Sequence, residues 1–472
     1  MTAPINENYL PNCPKPPQRK QSWKLKLKAN SKILLLVILI LILIIPKGMD
    51  IVSNNSHSTN YFTQSIGTYE FDDSGQSIIK TIDHGFAIAG YTWSYGNGKS
   101  DMWLVKVNSQ GNVQWNTTFG GSEIDRAFSL VQTSDQGFVL GGETHSFSYS
   151  DSAILIAKFS YQGELLWHKL LDNPENEVCY DVIEDTDSNI VLTGFSESDG
   201  NKDIKIIKLS CLGDLLWQYE YGGELDDIGY SIVQTSDNGY VISGVTWSYG
   251  LGYNDAILLK VNEKGIVLWN RTYGSENREW AMKVINTKDG GLAISGSSWA
   301  FENDHRDMLL VKTNDLGEQE WSLRLGGAKK ESAEGLVQCS DGGYVLAGYS
   351  VSPIGTLNSD IILYKTSDSG RVEWNKSYGG KEHDLAFSVI KNDNKGFLIT
   401  GIIDAPWVYP YYGGGNMIIL SVDTEGNFGN NLFTEDLLTI DIHIQAIIGT
   451  IIIIYLYKLS KYLKSKWRPN IE

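Results

Sequence analysis

Cysteine, proline and catalytic sequence motifs are scarce in this chain. Its 472 residues include only 4 cysteines and 11 prolines, against 48 glycines. Cys13, Cys179, Cys211 and Cys339 form no CxxC pair and no metal-ligand spacing, so the fold does not depend on a disulfide framework. No GxSxG, HExxH, phosphate-binding loop or EF-hand pattern occurs in the sequence. We therefore expect a protein that is not an enzyme and that holds no cofactor or resident metal.

Basic residues are also scarce over most of the chain. The formal net charge is −17, yet seven basic residues lie within positions 1–32 and five more lie within positions 458–472. Between Asp50 and Phe433 there remain 26 basic and 51 acidic residues, a balance near −25. A body with this charge repels phosphate backbones, so nucleic acid is not an expected partner. Cations, basic proteins and neutral sugars remain open.

Long hydrophobic runs occur only near the two ends. Ile33–Ile45 is an apolar run of 13 residues, which is typical of a signal peptide or a short signal anchor. No small-residue cleavage pattern follows it, and both interpretations stay open. Leu437–Tyr457 is long enough to cross a bilayer, with a buried terminal helix as the alternative. The basic clusters outside both runs predict cytoplasmic termini and an external body.

These features divide the chain into an expected membrane topology. Residues 1–32 form a basic cytoplasmic tail, 33–45 the signal peptide or anchor, 46–60 a linker and 61–431 the folded body. Residues 437–457 form a transmembrane helix in the lipid bilayer, and 458–472 form a second basic cytoplasmic tail. Four N-x-S/T sequons agree with an external body and predict glycosylation at Asn54, Asn116, Asn270 and Asn375.

A repeat of about 52 residues fills the body. A glycine-aromatic-apolar phrase such as Gly85–Gly90 recurs seven times, and successive copies are separated by 52, 52, 50, 52, 52 and 53 residues. Each unit holds four strand-length runs, here named a, b, c and d, which are separated by tight turns containing Asp and Gly. Four antiparallel strands repeated seven times predict an all-β, seven-bladed β-propeller of four-stranded blades.

The number of d strands predicts how the ring closes. Tryptophan marks strand d in only six units, at Trp115, Trp167, Trp217, Trp269, Trp321 and Trp374. Tyr61–Gly67 precedes the first strand a at the spacing of a strand d, with Thr63 lying 52 residues before Trp115. We therefore expect the N-terminal strand to complete blade seven, which removes an open sheet edge.

The phrase Asn-x-x-Gly-x-x-x-Trp, as in Asn108, Gly111 and Trp115, runs from strand c into strand d. It resembles the tryptophan-docking motif of quinoprotein-type propellers. Over about Tyr61–Phe428 the chain is similar to PQQ-like β-propeller repeat proteins, including prokaryotic cell-surface proteins. The resemblance implies a structural docking role for the six tryptophans. The chain departs from quinoprotein dehydrogenases in having seven units and no adjacent-cysteine pair or recognisable quinone pocket.

Loops b–c and d–a share one face of the predicted propeller, and they are long and variable, as binding loops are. The b–c loops are aromatic, and Thr92–Gly96 recurs verbatim as Thr246–Gly250. Exposed aromatic rings could stack on a sugar or hold a peptide, whereas the alternative is packing against the next blade. The expected ligand-binding residues are Trp93, Tyr95, Trp247, Tyr249, Trp299, Phe301, Trp407 and Tyr411.

The d–a loops are acidic in every blade. Strand a lines the channel of a propeller, so we expect Asp125, Glu177, Asp227, Glu279, Glu334 and Asp384 at its mouth. Calcium capture is one interpretation, because Ca²⁺ takes oxygen ligands, and backbone capping in a turn is the other. A residue type present in all seven copies favours the structural interpretation.

Positions that break the repeat are better indicators of function. The Asp404–Gly415 loop in blade seven and Asp304–Asp307 in blade five have no counterpart elsewhere. We expect an extracytoplasmic binding or adhesion module for a glycan, a peptide or a surface protein. The alternatives are a structural spacer in a cell envelope, a polysaccharide-acting enzyme or a degenerate quinoprotein.

Overall fold

The computed structural model describes residues 63–428, except for 69, 150, 173–174, 301–304, 352–357, 393–395 and 406–413. They belong to the second of two compact units, Thr59–Glu472, whereas the first is Met1–Ser58. The predicted tails, hydrophobic segments and linker lie outside the described residues, as do Asn54, Phe301, Trp407 and Tyr411. Nowhere in the described part does a helix have the length and apolar character needed to cross a membrane.

The described part contains 28 strands in seven four-stranded antiparallel sheets. Strand β1 (Thr63–Ile66) comes first, and blade one follows with β2 (Asp73–Lys80), β3 (Phe86–Thr92), β4 (Asp101–Val107) and β5 (Val113–Phe119). Blade two holds β6 (Asp125–Gln132), β7 (Phe138–Thr144), β8 (Ala153–Phe159) and β9 (Leu165–Leu171). Blade three holds β10 (Glu177–Glu184), β11 (Ile190–Ser198), β12 (Asn201–Leu209) and β13 (Leu215–Tyr221). Blade four holds β14 (Asp227–Gln234), β15 (Tyr240–Thr246), β16 (Asp255–Val261) and β17 (Val267–Tyr273). Blade five holds β18 (Arg278–Asn286), β19 (Leu292–Ala300), β20 (His305–Thr313) and β21 (Gln319–Leu325). Blade six holds β22 (Lys330–Gln338), β23 (Tyr344–Val351), β24 (Ser359–Thr366) and β25 (Val372–Tyr378). Blade seven holds β26 (His383–Lys391), β27 (Phe397–Ala405) and β28 (Asn416–Val422). The predicted seven-bladed, all-β propeller is confirmed.

Strand β1 completes blade seven, as expected. It pairs antiparallel with β28, and the sheet order is β1-β28-β27-β26. In blade seven, Thr63 pairs with Leu420. The residue of blade one equivalent to Leu420 is Val105, and Val105 pairs with Asn116. Thr63 therefore occupies the position that follows the docking tryptophan, one residue away from the alignment with Trp115 that the 52-residue spacing suggested.

The hydrophobic core lies between adjacent blades. The cluster between blades one and two joins Ala87 and Ala89 to Phe138 and Leu140. At the junction of blades seven and one, Ile66 packs against a cluster that contains Trp103. Each blade thus buries its faces against its two neighbours, so closing the ring is itself a packing event. The three described cysteines are free thiols, two buried and one exposed.

An ion pair between a buried lysine and a turn aspartate links strand c to the a–b turn in six blades. The lysine next to the end of strand c is nearly inaccessible, and its ammonium contacts the turn aspartate at 2.7–3.0 Å. The pairs are Lys106–Asp83, Lys158–Asp135, Lys208–Asp185, Lys260–Asp237, Lys312–Asp289 and Lys365–Asp341. Burial opposes ionisation of Asp135, yet hydrogen bonds from Lys158 and Thr133 hold its pKa at about 2.

Every strand a carries a β-bulge at the same position. One residue is skipped at this position in each pairing of strand a with strand b, so its side chain leaves the alternation of the strand, and blade seven has a second skip at Asp384. The skipped residues are Gln76, Phe128, Tyr180, Tyr230, Met282, Glu334 and Phe387. Because strand a is the innermost strand, the bulges deliver seven side chains to the centre of the ring.

Candidate functional site

The central channel is the cavity that these bulges create. It has a volume of about 270 Å³, and all seven skipped residues line it. Aromatic rings follow one another around part of the wall, with ring centroids 5.5 Å apart for Phe128 and Tyr180 and 5.1 Å apart for Tyr180 and Tyr230. Met282 and Phe387 extend the apolar lining. The channel can therefore bury an apolar side chain of a ligand, which would stay exposed to water on the outer surface of the protein.

An ion pair crosses the channel below the aromatic rings. Asp181 accepts hydrogen bonds from Ser129 Oγ at 2.7 Å and Ser231 Oγ at 2.8 Å, and Lys283 Nζ lies 2.9 Å from its carboxylate. Burial raises the pKa of Asp181, but Lys283 and the hydroxyl donors outweigh it and lower the pKa overall. These contacts join blades two to five across the channel.

The acids of the d–a loops are buried rather than displayed. Seven of them, Asp73, Asp125, Glu177, Asp227, Glu279, Glu331 and Asp384, are at most 4% exposed. Asp125 accepts hydrogen bonds from the Gly121 amide at 2.7 Å and the Ser146 hydroxyl at 2.6 Å. Asp227 accepts one from the Gly223 amide at 2.8 Å. These carboxylates close the loop before strand a, which is the capping role considered for them.

Five of the six acids expected at the channel mouth are among these capping residues. The sixth, Glu334, is not a capping residue. Glu331 pairs with Ser350 as Glu279 pairs with Ser298, so Glu331 is the capping acid of blade six. Glu334 lies three residues further along the strand and lines the channel. Within the described residues, no group of three or more His, Cys, Asp or Glu side chains has a metal-binding arrangement.

Two capping acids are held in unusual ionisation states. Burial and the nearby Asp307 carboxylate raise the pKa of Glu331 to about 7. Burial raises the pKa of Asp384 to about 6, although backbone amides of Asp404 and Gly380 favour its charged form. Near neutral pH the Glu331 carboxyl group is therefore partly protonated, which reduces the negative charge of this part of the fold.

The aromatic b–c loops divide into inner and outer residues. Trp247 packs against an inner cluster that contains Phe195 and Tyr230. Trp93 has its backbone amide bonded to the Asp72 carbonyl, as Trp247 has its amide bonded to the Asp226 carbonyl. The two tryptophans therefore take equivalent positions on the upper inner edge of their blades.

The two tyrosines of these loops turn to the outer side of the ring. Tyr95 is 46% exposed, and its ring lies 5.6 Å from that of the buried Trp103. Tyr249 donates a hydrogen bond to the Gly222 carbonyl at 2.8 Å and lines a separate cavity of about 220 Å³. The structure thus separates the predicted tyrosines from the predicted tryptophans.

Trp299 belongs to a cluster that the sequence did not reveal. Arg278 Cζ lies 5.4 Å from the centroid of its ring, and Lys330 Nζ from blade six lies 5.7 Å from it. Beside it, Arg306 Cζ lies 5.4 Å from the Tyr349 ring, and Arg306 Nη2 donates a hydrogen bond to the Tyr349 hydroxyl at 3.0 Å. We name these five residues the basic aromatic sector. All five are half-buried.

The sector interrupts the repeat. The residue before the capping acid is Asp72, Ile124, Asn176, Asp226 and His383 in five blades, but Arg278 and Lys330 in blades five and six. Glu334 brings one negative charge near Arg306. Comparing equivalent positions among the seven units could have found this variation, whereas contacts between blades could not be read from the sequence.

The six docking tryptophans lie between blades at the outer strand. Each rests on the glycine of the next c–d turn, which has a positive φ. A Cβ built at Gly317 would lie 2.7 Å from the Trp269 ring, for example. The residues after three of these tryptophans, Asn116, Asn270 and Asn375, are exposed. Their exposure is compatible with the predicted glycosylation.

No family model matches the chain. Regulatory protein FlaEY from Caulobacter vibrioides is 21% identical over 168 residues, which cover 30% of this chain and 18% of that protein. The match thus spans less than a fifth of the length of that relative. Similar solved structures include Chaetomium thermophilum Sqt1 bound to the N-terminus of ribosomal protein L10, with 14% identity, a TM-score of 0.43, and coverage of 72% and 86% of the two chains.

Two further solved structures show the range of the similarity. YCF48 bound to D1 peptide has 9% identity and a TM-score of 0.46, and the match covers 78% of this chain and 97% of that one. The GH43 β-1,3-galactosidase BT0265 has 11% identity and a TM-score of 0.33, with coverage of 51% and 55%.

Proposed function

We propose that this chain is a membrane-anchored, extracytoplasmic binding module whose ligand is a peptide, a protein or a glycan. The ligand contacts the mouth of the central channel and the inner tryptophans around it. Within this proposal the blades are of the PQQ-like, tryptophan-docking type, which the stacking of six tryptophans on turn glycines supports. No cofactor is required.

The observation that carries the proposal is the contrast between two sets of equivalent positions. The capping position is acidic in all seven blades, because every blade needs its loop closed. The bulge position holds glutamine, phenylalanine, tyrosine, methionine or glutamate, although its backbone is the same in every blade. A solvent-accessible, half-buried position that varies while its geometry is constant is suited to recognition rather than to folding.

Substitution of the inner tryptophans tests the proposal. The full-length protein in detergent micelles is applied to a glycan array and to a displayed peptide library, beside Trp247→Ala, Trp299→Ala and the matched control Tyr95→Ala. We expect binding to fall at least 10-fold in the two tryptophan variants, since a buried aromatic anchor contributes about 2 kcal/mol or more. Tyr95→Ala should bind normally. Equal binding by all four proteins would contradict the proposal.

The membrane topology has its own test. The basic clusters flanking both hydrophobic segments and the exposed sequon asparagines support an external propeller with cytoplasmic termini. Protease added to intact cells should digest the propeller and leave an epitope at the C-terminus protected. Protection of the propeller together with digestion of the epitope would reverse the topology.

A further inference from the structure

In six blades, strand d also carries a β-bulge, at the residue before the docking tryptophan. The skipped residue is polar in blades one, five and six and is a leucine in blades two, three and four. In blade order these residues are Gln114, Leu166, Leu216, Leu268, Glu320 and Glu373. The three polar side chains accept hydrogen bonds from the buried lysine of their own blade, at 2.9–3.0 Å. Folding therefore favours a polar residue at this position, and three consecutive blades depart from it.

The three leucines are exposed to solvent. Leu166, Leu216 and Leu268 have exposed fractions of 55%, 52% and 54%. Further exposed aliphatic side chains lie beside them at the start of strand d or in the c–d turn, namely Leu165, Leu212, Leu215, Ile266 and Val267. We name these eight residues the leucine row. Apolar side chains gathered along one side of an otherwise acidic protein indicate a binding surface.

The leucine row lies on the face of the ring opposite to the channel mouth. Strand d begins at the c–d turn, and the c–d turns lie beside the a–b turns, as the hydrogen bond of 2.8 Å from Tyr161 to Asp83 shows. We name this side the turn face. Equivalent positions in a closed ring lie at one height along its axis, so the three bulge leucines lie in a plane parallel to the turn face. A flat surface can contact all three at once, whereas a second convex ring would contact one or two blades.

Both ends of the described chain leave the ring on the turn face. Thr63 begins β1 there, and Phe428 follows the last turn and packs at the junction of blades six and seven. Eight residues, 429–436, separate Phe428 from the predicted transmembrane segment 437–457. They can span at most about 30 Å. This linker would hold the turn face close to a bilayer at blade seven, and the leucine row lies on the opposite side of the ring.

We infer that the turn face lies on the lipid bilayer and that the leucine row inserts at the edge farthest from the linker. The inference rests on the membrane anchoring in the proposed function and adds the orientation of the propeller. Aliphatic side chains are stabilised when they leave water for the boundary between headgroups and acyl chains. Because the body is strongly acidic, apolar contact with zwitterionic lipid drives the docking rather than charge. The channel mouth then points away from the bilayer, where a ligand can reach it.

Fluorescence quenching in lipid nanodiscs tests this orientation with the full-length protein. Cys211, in the c–d turn of blade three, is exposed, whereas Cys179 and Cys339 are buried, so a bimane label in a Cys13→Ser background reports on the leucine row. In phosphatidylcholine discs that contain a spin-labelled lipid, we expect its fluorescence to fall roughly 2-fold, because groups docked at the interface lie about 5–10 Å deep. The same label at Glu224→Cys, an exposed position on the channel-mouth face, should keep its fluorescence once Cys211 is replaced by serine.

Glutamine at the three bulges separates the leucine row from the linker. The triple variant Leu166→Gln/Leu216→Gln/Leu268→Gln introduces the residue that blade one already has, where Gln114 accepts a hydrogen bond from the buried Lys106. We therefore expect the variant to fold, and its melting temperature checks this. The label at the c–d turn of blade three should lose most of its quenching, although the protein stays anchored in the disc.

The matched control is Leu225→Gln/Leu251→Gln, which replaces leucines that are 56% and 85% exposed on the channel-mouth face. This variant should keep the quenching at Cys211. Equal quenching of the labels on the two faces, or quenching that survives in the triple variant, would overturn the inference and leave the anchored binding module intact. Quenching found only with phosphatidylglycerol would also overturn it, as would self-association that the triple variant abolishes without any quenching. A protein that carbonate extracts from membranes would instead refute the anchoring in the proposed function.

Discussion

At the scale of single residues, six buried lysines are each paired with a turn aspartate. Lys208 and Asp185 are the most buried of the six lysine–aspartate pairs, with side-chain exposures of 10% and 1%. Tyr240 bridges them, since its hydroxyl donates to Asp185 at 2.9 Å and accepts from Lys208 at 3.0 Å. Lys312 differs because it contacts both Asp289 and Glu320 at 2.9 Å.

Replacing the buried aspartate should therefore cost more than replacing its equivalent. Asp185→Asn keeps an oxygen for the turn amides but leaves Lys208 without a counter-charge, and we expect a loss of about 3 kcal/mol in the free energy of unfolding. Asp289→Asn leaves Lys312 paired with Glu320, and we expect about 1 kcal/mol. Chemical denaturation of both variants measures the difference, and equal losses would show that the second partner contributes nothing.

Glu331 predicts an unusual dependence of stability on pH. Its pKa in the folded protein is about 7, above the ordinary carboxyl value, so the folded state binds a proton more tightly than the unfolded chain. Stability should fall as the pH rises from about 4.5 to 7, and remain reduced above that. Glu331→Gln removes this penalty, and at pH 8 we expect a gain of up to about 3 kcal/mol.

The same position in blade three gives the control. Glu177 contacts Lys205 at 3.4 Å, so Glu177→Gln should lower stability instead of raising it. Thermal unfolding of both variants between pH 4 and pH 8 is the measurement. The interpretation of Glu331 is wrong if Glu331→Gln shows the same decline between these pH values as the parent protein.

At the scale of elements, six of the seven junctions between blades contain a tryptophan resting on a turn glycine. Gly317 and Gly290 both have positive φ, of 73° and 91°, but only Gly317 lies under a tryptophan ring. An alanine at Gly290 meets no atom within 4 Å. The two positions therefore separate backbone strain from loss of the docking contact.

Alanine at these glycines should give two different costs. Gly290→Ala should lower the free energy of unfolding by about 1 kcal/mol, because the alanine must adopt the left-handed backbone conformation. Gly317→Ala also displaces the Trp269 ring, which adds about 1–3 kcal/mol. Chemical denaturation would measure both, and tryptophan fluorescence should shift only in Gly317→Ala. A similar cost for both variants would mean that ring docking contributes little to the junction.

The elements were largely predictable from the sequence, and their irregularities were not. The 52-residue repeat predicted the blades and the closing strand, because hydrophobic spacing and turn residues are local signals. The register of Thr63 was off by one, since it depends on pairing with β28, more than 350 residues away. The bulges were invisible for the same reason, and with them the position of Glu334 in the channel. The contact of Lys330 with Trp299 depends on the docking of two blades, which no local pattern encodes.

At the scale of the whole molecule, the ring is closed by four residues. Deleting Thr63–Ile66 from the full-length chain would expose β28, whose seven residues are all buried, and would remove Ile66 from the junction of blades seven and one. We expect a lower melting temperature and association through the exposed edge, which light scattering after size-exclusion chromatography would detect. Replacing the same residues with Thr-Val-Ser-Val should preserve a monodisperse protein. A stable, monodisperse deletion variant would show that closure is dispensable.

The central proposal is that a ligand binds to one face of the propeller, around the channel mouth. Hydrogen–deuterium exchange of the full-length protein, with and without the tightest ligand from the arrays, tests this directly. We predict slower exchange at Arg278–Trp280 and around Trp299 in blade five, with outer strands such as β17 unchanged. Protection confined to the outer strands, or to the short turns on the opposite face, would contradict it.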